Sequence, residues 1–364
     1  MTRLRVLRIY HSGVVSAWRE RDRQLRSLDC DVVLAAPLAW NEGGQVVTLD
    51  IGDDVFVVPV RTCGRHPFRF AYSPQSIWRL LRRSKWDVLD VHEEPASFAV
   101  FQVLVAAWLL RIRTPVVLYS AENIMKRYPP PFRWFERWAL SRVAAVHCCN
   151  EEAAAIMRRK GFRGPTPVLG LGVDVERFSP GPQDRASIRL GYVGRLDERK
   201  GVQVVLAALR QLPSTCTLVV AGAGSFEAEL RRRAADLMSD GRVEFTSFVD
   251  HADLPALYRT LDIAVVPSLP TPVWHEQFCR VAVEAMASGV PVVASADGAL
   301  PEVVGPGGVL VEPGSVDAWV KALSELVNDA ERRRDLSTAA HVWAQRFSWQ
   351  QIAREQRALY DEVA

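Results

Sequence analysis

A chain of 364 residues, 49% apolar and 24% charged, has ample apolar material for two cores, which excludes a disordered or fibrous protein. Its net charge of +3 conceals an asymmetry: residues 1–180 hold 26 Lys and Arg against 18 Asp and Glu, and the remainder hold 19 against 24. No zinc spacing, recognition helix or aromatic–basic module accompanies that basic half, so nucleic acid is not the expected partner. The basic half reads either as a solvated Arg-rich surface or as a surface drawn to an anionic acceptor or membrane.

In chain order, short β-branched runs alternate with helical stretches. Leu4–Ile9, Asp31–Ala35, Val55–Val60, Val88–Val91, Pro115–Tyr119, Ala144–Cys148 and Thr166–Leu169 are predicted strands. Ser16–Leu28, Pro74–Arg83 and Pro131–Leu140 are predicted helices. The longest apolar run, Phe98 to Leu110, is too short to span a bilayer and suits a buried helix. In the helix after Pro131, Trp134, Phe135 and Trp138 fall at helical spacing. They read as a core-facing stripe, or alternatively as a peripheral-membrane or lipid-acceptor surface. Met1–Tyr10 reads as a basic strand rather than a signal peptide. Six cysteines form no Cys-x-x-Cys pair, and adjacent Cys148 and Cys149 read as buried thiols. A reducing, cytoplasmic setting is expected.

The pattern restarts after a breaker-rich stretch from Gly164 to Asp184. Arg189–Val193, Thr217–Ala221, Val243–Thr246, Ile263–Pro267, Pro291–Ala294 and Gly308–Val311 are predicted strands. Gly201–Leu212, Ser225–Met238, Asp253–Arg259 and Arg280–Ala287 are predicted helices. Two such series predict two doubly wound α/β units, with ligand space at the carboxyl ends of the strands. The expected division is 1–168 and 169–345, with a closing helix in 346–364.

Three segments carry candidate chemistry. Gly194-Arg195-Leu196-Asp197-Glu198-Arg199-Lys200-Gly201 follows a strand, and its two cations suit a diphosphate at a helix start. The plain alternative is a surface Arg and Lys in a connecting loop. Glu276 and Glu284 flank a helix start near Phe278. The first backbone N–H groups there, at Phe278, Cys279, Arg280 and Val281, suit hydroxyl or phosphate oxygens. Glu284 lies on an apolar helix and needs a partner, either a ribose diol or an Arg not identified from the sequence. His92, in Asp90-Val91-His92-Glu93-Glu94-Pro95, follows a strand and stands either at a ligand or as a satisfied structural histidine.

Together these motifs resemble the retaining glycosyltransferases of family 4, over most of the chain and most specifically in its second half. Gly194-Arg195…Lys200-Gly201 resembles the family's phosphate loop, and Ala221-Gly222-Ala223-Gly224 its second glycine turn. Glu276 and Glu284 are similar to its paired glutamates, and Asp297-Gly298-Ala299-Leu300-Pro301-Glu302 to the following segment. Gly172-Val173-Asp174…Phe178 resembles the interdomain signature.

The resemblance implies the GT-B fold: two Rossmann-like domains facing a cleft, an acceptor domain and a donor domain, with the C-terminal helix crossing back. It implies that Arg195 and Lys200 hold the diphosphate, that Glu284 binds ribose and that Glu276 binds the donor sugar. Val249 would meet the base, His92 the sugar near its anomeric carbon, and Gly13 would leave room for diphosphate or acceptor. Gly194, Gly222, Gln277, Phe278, Cys279, Arg280 and Val281 would complete the donor site. Departures are Gln277 and Cys279 where Gly is usual, Ser247 and Ala299 where Gly is common, and Asp90 for a frequent His. The loop His11-Ser12-Gly13 departs from the usual Gly-Gly.

The function so implied is transfer of a sugar from a nucleoside diphosphate to an acceptor hydroxyl, with retention. No Asp-x-Asp pair is present, and neither metal nor other cofactor is expected. The acceptor stays open among glycan, lipid and natural product. The alternatives are a nucleotide-sugar epimerase of the same architecture and a non-catalytic partner subunit.

Overall fold

The computed structural model describes residues 3–42, 45–181, 187–247 and 249–364. The chain divides into two compact units, Met1–Gly170 with Trp349–Ala364, and Leu171–Ser348. Residues 182–184 of the breaker-rich stretch lie outside the described residues.

The first unit runs β1 (Leu4–Ile9), α1 (Glu20–Ser27), β2 (Cys30–Pro37), β3 (Ala39–Glu42), β4 (Gln45–Thr48), β5 (Val57–Val60), β6 (Thr62–Cys63) and β7 (Ala71–Tyr72). It continues with α2 (Pro74–Arg83), β8 (Val88–Val91), α3 (Phe98–Leu109), β9 (Val116–Ser120), α4 (Phe132–Leu140), β10 (Ala145–Cys148) and α5 (Glu151–Arg159). Six strands form a parallel sheet in the order β10-β9-β8-β1-β2-β5. β8 and β10 are buried at every position, as a sheet covered on both faces requires. Local signals set the helices. In α5, Asn150 accepts from the Ala153 N–H at 2.7 Å, two Glu open the first turn and two Arg close the last.

The expected strand Thr166–Leu169 is not one. It makes only a single bridge, Val168 to Cys148. Pro165 and Pro167 accept from Val146 and Cys148 but have no N–H to return, so no ladder extends through them.

The expectation of a buried helix at Phe98 also needs correction. α3 turns Ala99, Val100, Val103 and Leu104 into the core but leaves Phe98, Trp108 and Leu109 exposed. The Trp134 stripe is core-facing only in part, since Trp138 packs against the core and Trp134 does not. α4 buries Ala139 and Leu140, while Trp134 is exposed and Phe135 and Trp138 are half-buried. Among the described residues, no helix is long and apolar enough to cross a membrane.

The second unit runs β11 (Ile188–Val193), α6 (Val202–Leu209), β12 (Cys216–Ala221), α7 (Glu227–Arg233), α8 (Ala235–Ser239), β13 (Val243–Thr246), α9 (Leu254–Tyr258) and β14 (Ile263–Val266). It continues with α10 (Arg280–Ala287), β15 (Val292–Ser295), α11 (Leu300–Val304), β16 (Gly308–Val311), α12 (Val316–Asn328) and α13 (Ala330–Ala344). Its sheet is parallel, in the order β13-β12-β11-β14-β15-β16. The crossover from β11 at the centre outward to β12 on one side and β14 on the other leaves a switch point at their carboxyl ends.

The last helix, α14 (Trp349–Val363), belongs to the first unit and packs on α1. Its buried stripe of Ala353, Leu359 and Tyr360 joins Leu4, Val6, Val88 and Val117 in the core under one sheet face. Each large side chain so buried contributes roughly 1.5–3 kcal/mol. Arg357 anchors the helix by donating to the Leu28 carbonyl at 2.6 Å.

Candidate functional site

In the second unit the switch point opens into a cavity of about 370 Å³. Gly194, Arg195 and Lys200 line it from the loop after β11, Glu276 from the loop before α10, and Cys279, Arg280 and Val281 from the start of α10. Backbone geometry explains the glycines. Gly201 has φ +73°, and a Cβ there would lie 1.8 Å from the Pro267 carbonyl oxygen. Gly222 packs its backbone directly on Gly194, where a Cβ would come within 1.9 Å of the Gly194 oxygen. The Tyr192 hydroxyl donates to the Arg195 carbonyl at 2.7 Å and fixes the turn.

Lys200 Nζ lies 2.7 Å from Glu276 Oε2, and the Ser268 hydroxyl donates to the same oxygen at 2.8 Å. Arg199 and Lys200 both lie over the Trp274 ring, at 4.6 and 4.7 Å from its centroid. Arg195 is half exposed, with a guanidinium nitrogen 4.0 Å from Asp197. Four cations, Arg195, Arg199, Lys200 and Arg280, thus line an open cavity that one helix start also faces, an arrangement that attracts an anion with several oxygens. Burial, with Glu276 adding to it, pushes the Cys279 thiol up to about 12, so it stays protonated.

The described cavity lining does not include Gly222, Val249, Gln277, Phe278 or Glu284. α10 spans Arg280–Ala287, as the strand–helix pattern predicts, so its start is at Arg280 and not near Phe278. Phe278 therefore turns inward, its ring 5.5 Å from that of Phe347. Val249 packs against the same core. Glu284 is buried, and its partners are protein groups: the Tyr258 hydroxyl and the Arg280 guanidinium, each at 3.3 Å, with His251 at 3.8 Å.

Three residues near Glu276 have no site role in the sequence reading, although Asp297 stands in a segment similar to the family's. Trp274 stacks under the cations, and Ser268 stands just beyond the end of β14. Asp297 holds the Glu276 loop, receiving His275 Nδ1 at 2.5 Å and the Glu276 N–H at 3.4 Å. The Ala299 N–H donates to the Glu276 carbonyl at 2.9 Å. The position of Ser268 directly after a strand, and that of Asp297 in the segment resembling the family's, offer sequence signals; the contact of Trp274 arises from folding.

In the first unit His92 is buried beyond the end of β8. Arg8 Nη2 lies 3.1 Å from its Nδ1, and its ring stacks on Tyr119 at 4.1 Å. An arginine only donates, so Nδ1 accepts and the proton resides on Nε2. Burial first, and then the charge of Arg8, push the His92 pKa well below its usual value, so the ring is neutral. Arg8 also bonds Asp22 at 2.6 Å and Asp90 at 2.9 Å, and Tyr360 donates to Asp90 at 2.5 Å.

Asp90, His92 and His147 bring one ligand atom each to within 4.8 Å of one another. Arg8 contacts two of the three, so a dication among them would face a guanidinium at hydrogen-bond distance. Gly13 sits in a tight turn over β2. The space beside it is filled by Leu34 and Ala36, which a Cβ would meet at 3.2 and 3.3 Å, so its smallness serves packing within the unit.

Two α/β units of this topology, with the closing helix returned to the first, define the GT-B class. Residues 176–343 match the family Glycosyl transferases group 1, and residues 12–172 match the Glycosyl transferase 4-like domain. Each match covers just under half of the chain, and together the two glycosyltransferase domain models account for most of it. It is 37% identical over 221 residues to the D-inositol 3-phosphate glycosyltransferase of Corynebacterium jeikeium, covering 54% of this chain and 51% of that protein. The Mycobacterium bovis protein of the same name is 38% identical over 200 residues, covering 50% of this chain and 41% of its own. The chain thus spans about half the length of these curated relatives. Among solved structures, Anabaena Alr3699/HepE in complex with UDP superposes with a TM-score of 0.74 at 19% identity, covering all of both chains. A glycosyltransferase from Rickettsia africae gives 0.75 at 14% identity, covering 100% of this chain and 99% of that one. At such identities the likeness is one of fold.

Proposed function

We propose that the protein transfers a glycosyl group from a nucleoside diphosphate sugar to an acceptor hydroxyl, with retention at the anomeric carbon. The observation that carries this reading is the convergence of Arg195, Lys200, Glu276 and the α10 start on one cavity. A diphosphate gains negative charge as the glycosidic bond breaks, and preorganised cations and N–H groups lower that barrier. Arg195 and Lys200 would supply the countercharge, which is why a metal-independent reaction is proposed. Glu276 would accept from donor-sugar hydroxyls, and His92, with its proton on Nε2, would donate to the sugar near C1.

The acceptor enters on the face from which the diphosphate leaves. The C1–O bond to phosphate breaks, the acceptor oxygen bonds C1, and the leaving phosphate oxygen takes the acceptor proton. Because Glu284 is satisfied by Tyr258 and Arg280, ribose binding by Glu284 would require Arg280 to turn aside; the proposal keeps that role for Glu284 on this condition. Cys279, which lines the cavity, would narrow the sugar pocket where Gly is usual in the family, whereas Gln277 lies outside the lining. UDP, present in the complex of the Anabaena protein, is the first nucleotide to test. The reaction is placed in the cytoplasm, in keeping with the chain's free cysteines.

The test is incubation with UDP-, GDP-, ADP- and TDP-sugars and a panel of acceptors, with and without EDTA, read by NMR at the anomeric carbon. Retention with EDTA present is the expected result. Inversion, or an epimerised donor without transfer, would overturn the reading.

A further inference from the structure

The twelve residues of α3 carry no charge. A helix apolar on every side is ordinarily enclosed. This one is not: Trp108 is 65% and Leu109 53% exposed. Phe98, Phe101, Val105 and Trp108 recur at helical spacing, so the apolar surface runs the length of the helix. α2 packs along one flank of α3 and α4 along the other. Both present cations to solvent, Arg79, Arg82 and Arg83 from α2 and Arg133 and Arg137 from α4. Trp134, at the start of α4, is 59% exposed.

The charge around this strip is one-sided. Residues 61–86 and 98–142 contain fourteen Lys and Arg and two acids. Those acids, Glu122 and Glu136, are buried and paired with Lys126 and Lys160. No carboxylate of either segment faces solvent. Repulsion within such a surface is relieved by an anionic partner.

We propose that the α2–α3–α4 face of the first unit docks on a bilayer surface rich in anionic lipid. An apolar strip one helix wide with guanidinium groups on both sides matches the layering of such a surface, hydrocarbon beneath phosphate. Trp108, Leu109 and Trp134 enter the headgroup–acyl boundary, where indole rings are favoured. The flanking arginines pair with lipid phosphates. None of these side chains lines the cavity of the second unit, so the proposal does not depend on the activity assigned there.

The test is flotation of the full chain with phosphatidylcholine vesicles, with and without 30 mol% phosphatidylglycerol, at low and high salt. Binding is expected only with phosphatidylglycerol and is expected to fall steeply with salt. Arg82→Gln with Arg83→Gln should lower partitioning about 30-fold. Trp108→Ser with Leu109→Ser should lower it at least tenfold, and both variants should keep the wild-type melting temperature and donor response. Equal binding to both vesicle types, no binding, or unchanged binding by both variants would overturn the proposal. A concentration-dependent dimer abolished by the Trp108 variant would also overturn it and assign the face to a second copy of the chain.

Discussion

Lys200 Nζ meets Glu276 Oε2 at 2.7 Å, across 76 residues of sequence. The ammonium group also lies over Trp274, and the carboxylate oxygen also receives Ser268. Cation and carboxylate hold each other in place at the mouth of the cavity. Under the proposed function, an arriving diphosphate would draw Lys200 to itself and release Glu276 toward the sugar hydroxyls.

Replacing Lys200 by Ala should separate binding from folding. Wild-type protein at 100 times the dissociation constant of UDP should gain about 2.7 kcal/mol of apparent stability. The variant should gain little at the same concentration, and turnover should fall roughly 100- to 1,000-fold. Its ligand-free stability should change by less than about 1 kcal/mol, because the pair is partly solvated. A wild-type thermal response in the variant would remove Lys200 from the site.

Asp297 should act as a positioning residue. It receives His275 and the Glu276 N–H, and Ala299 secures the Glu276 carbonyl from the same turn. Asp297→Ala should reduce kcat about tenfold or more by loosening the Glu276 loop, with a smaller change in nucleotide affinity. Equal losses in both would indicate general damage to the unit instead.

Two glycine substitutions distinguish backbone strain from steric conflict. Gly241 has φ +69° and open space around it, so Gly241→Ala should cost roughly 1–2 kcal/mol from conformation alone. Gly201 has nearly the same φ, but its Cβ would strike the Pro267 carbonyl. Gly201→Ala should cost more than Gly241→Ala in denaturant titrations and should also impair UDP binding.

Glu94 should give the first unit a measurable pH dependence. Its carboxylate accepts from the Ala121 N–H at 2.7 Å and the Ser120 hydroxyl at 2.8 Å. Burial, and then the charge of Glu122, raise its pKa to about 7. Between about pH 4.5 and 7 the folded protein retains a proton that the unfolded chain has lost. Its contribution is therefore present at low pH and declines as pH rises, by about 3 kcal/mol across that window. Glu94→Gln should remove that slope when denaturant stability is compared at pH 5 and 7.5.

Several elements coincide with the sequence reading because one local signal decides each. α2 starts at Pro74 and ends at its paired arginines, and β8 is Val88-Leu89-Asp90-Val91, apolar but for Asp90 and closed by His92. The failures share a cause. Periodicity shows that α3 is apolar but not that helices flank it on two sides only. Likewise the Trp134 spacing does not reveal which side of α4 meets the sheet. In the site, Arg195 and Lys200 were legible as cations beside Gly194 and Gly201, and Glu276 as a carboxylate before a helix start. That Glu284 would be satisfied by Arg280 and Tyr258 was only half legible: Arg280 lies one turn away on the same helix, but Tyr258 arrives from another element.

The return of α14 to the first unit sets an order of events on the ribosome. All of 171–348 emerges before Tyr360 is available to donate to Asp90. The later-encoded unit can therefore finish folding first, while the earlier one waits with a sheet face bare and its buried aspartate short of one partner. Translation that stalled before residue 349 would release a second unit already complete beside a first unit exposing Leu4, Val6 and Val88, a substrate for chaperones and proteases.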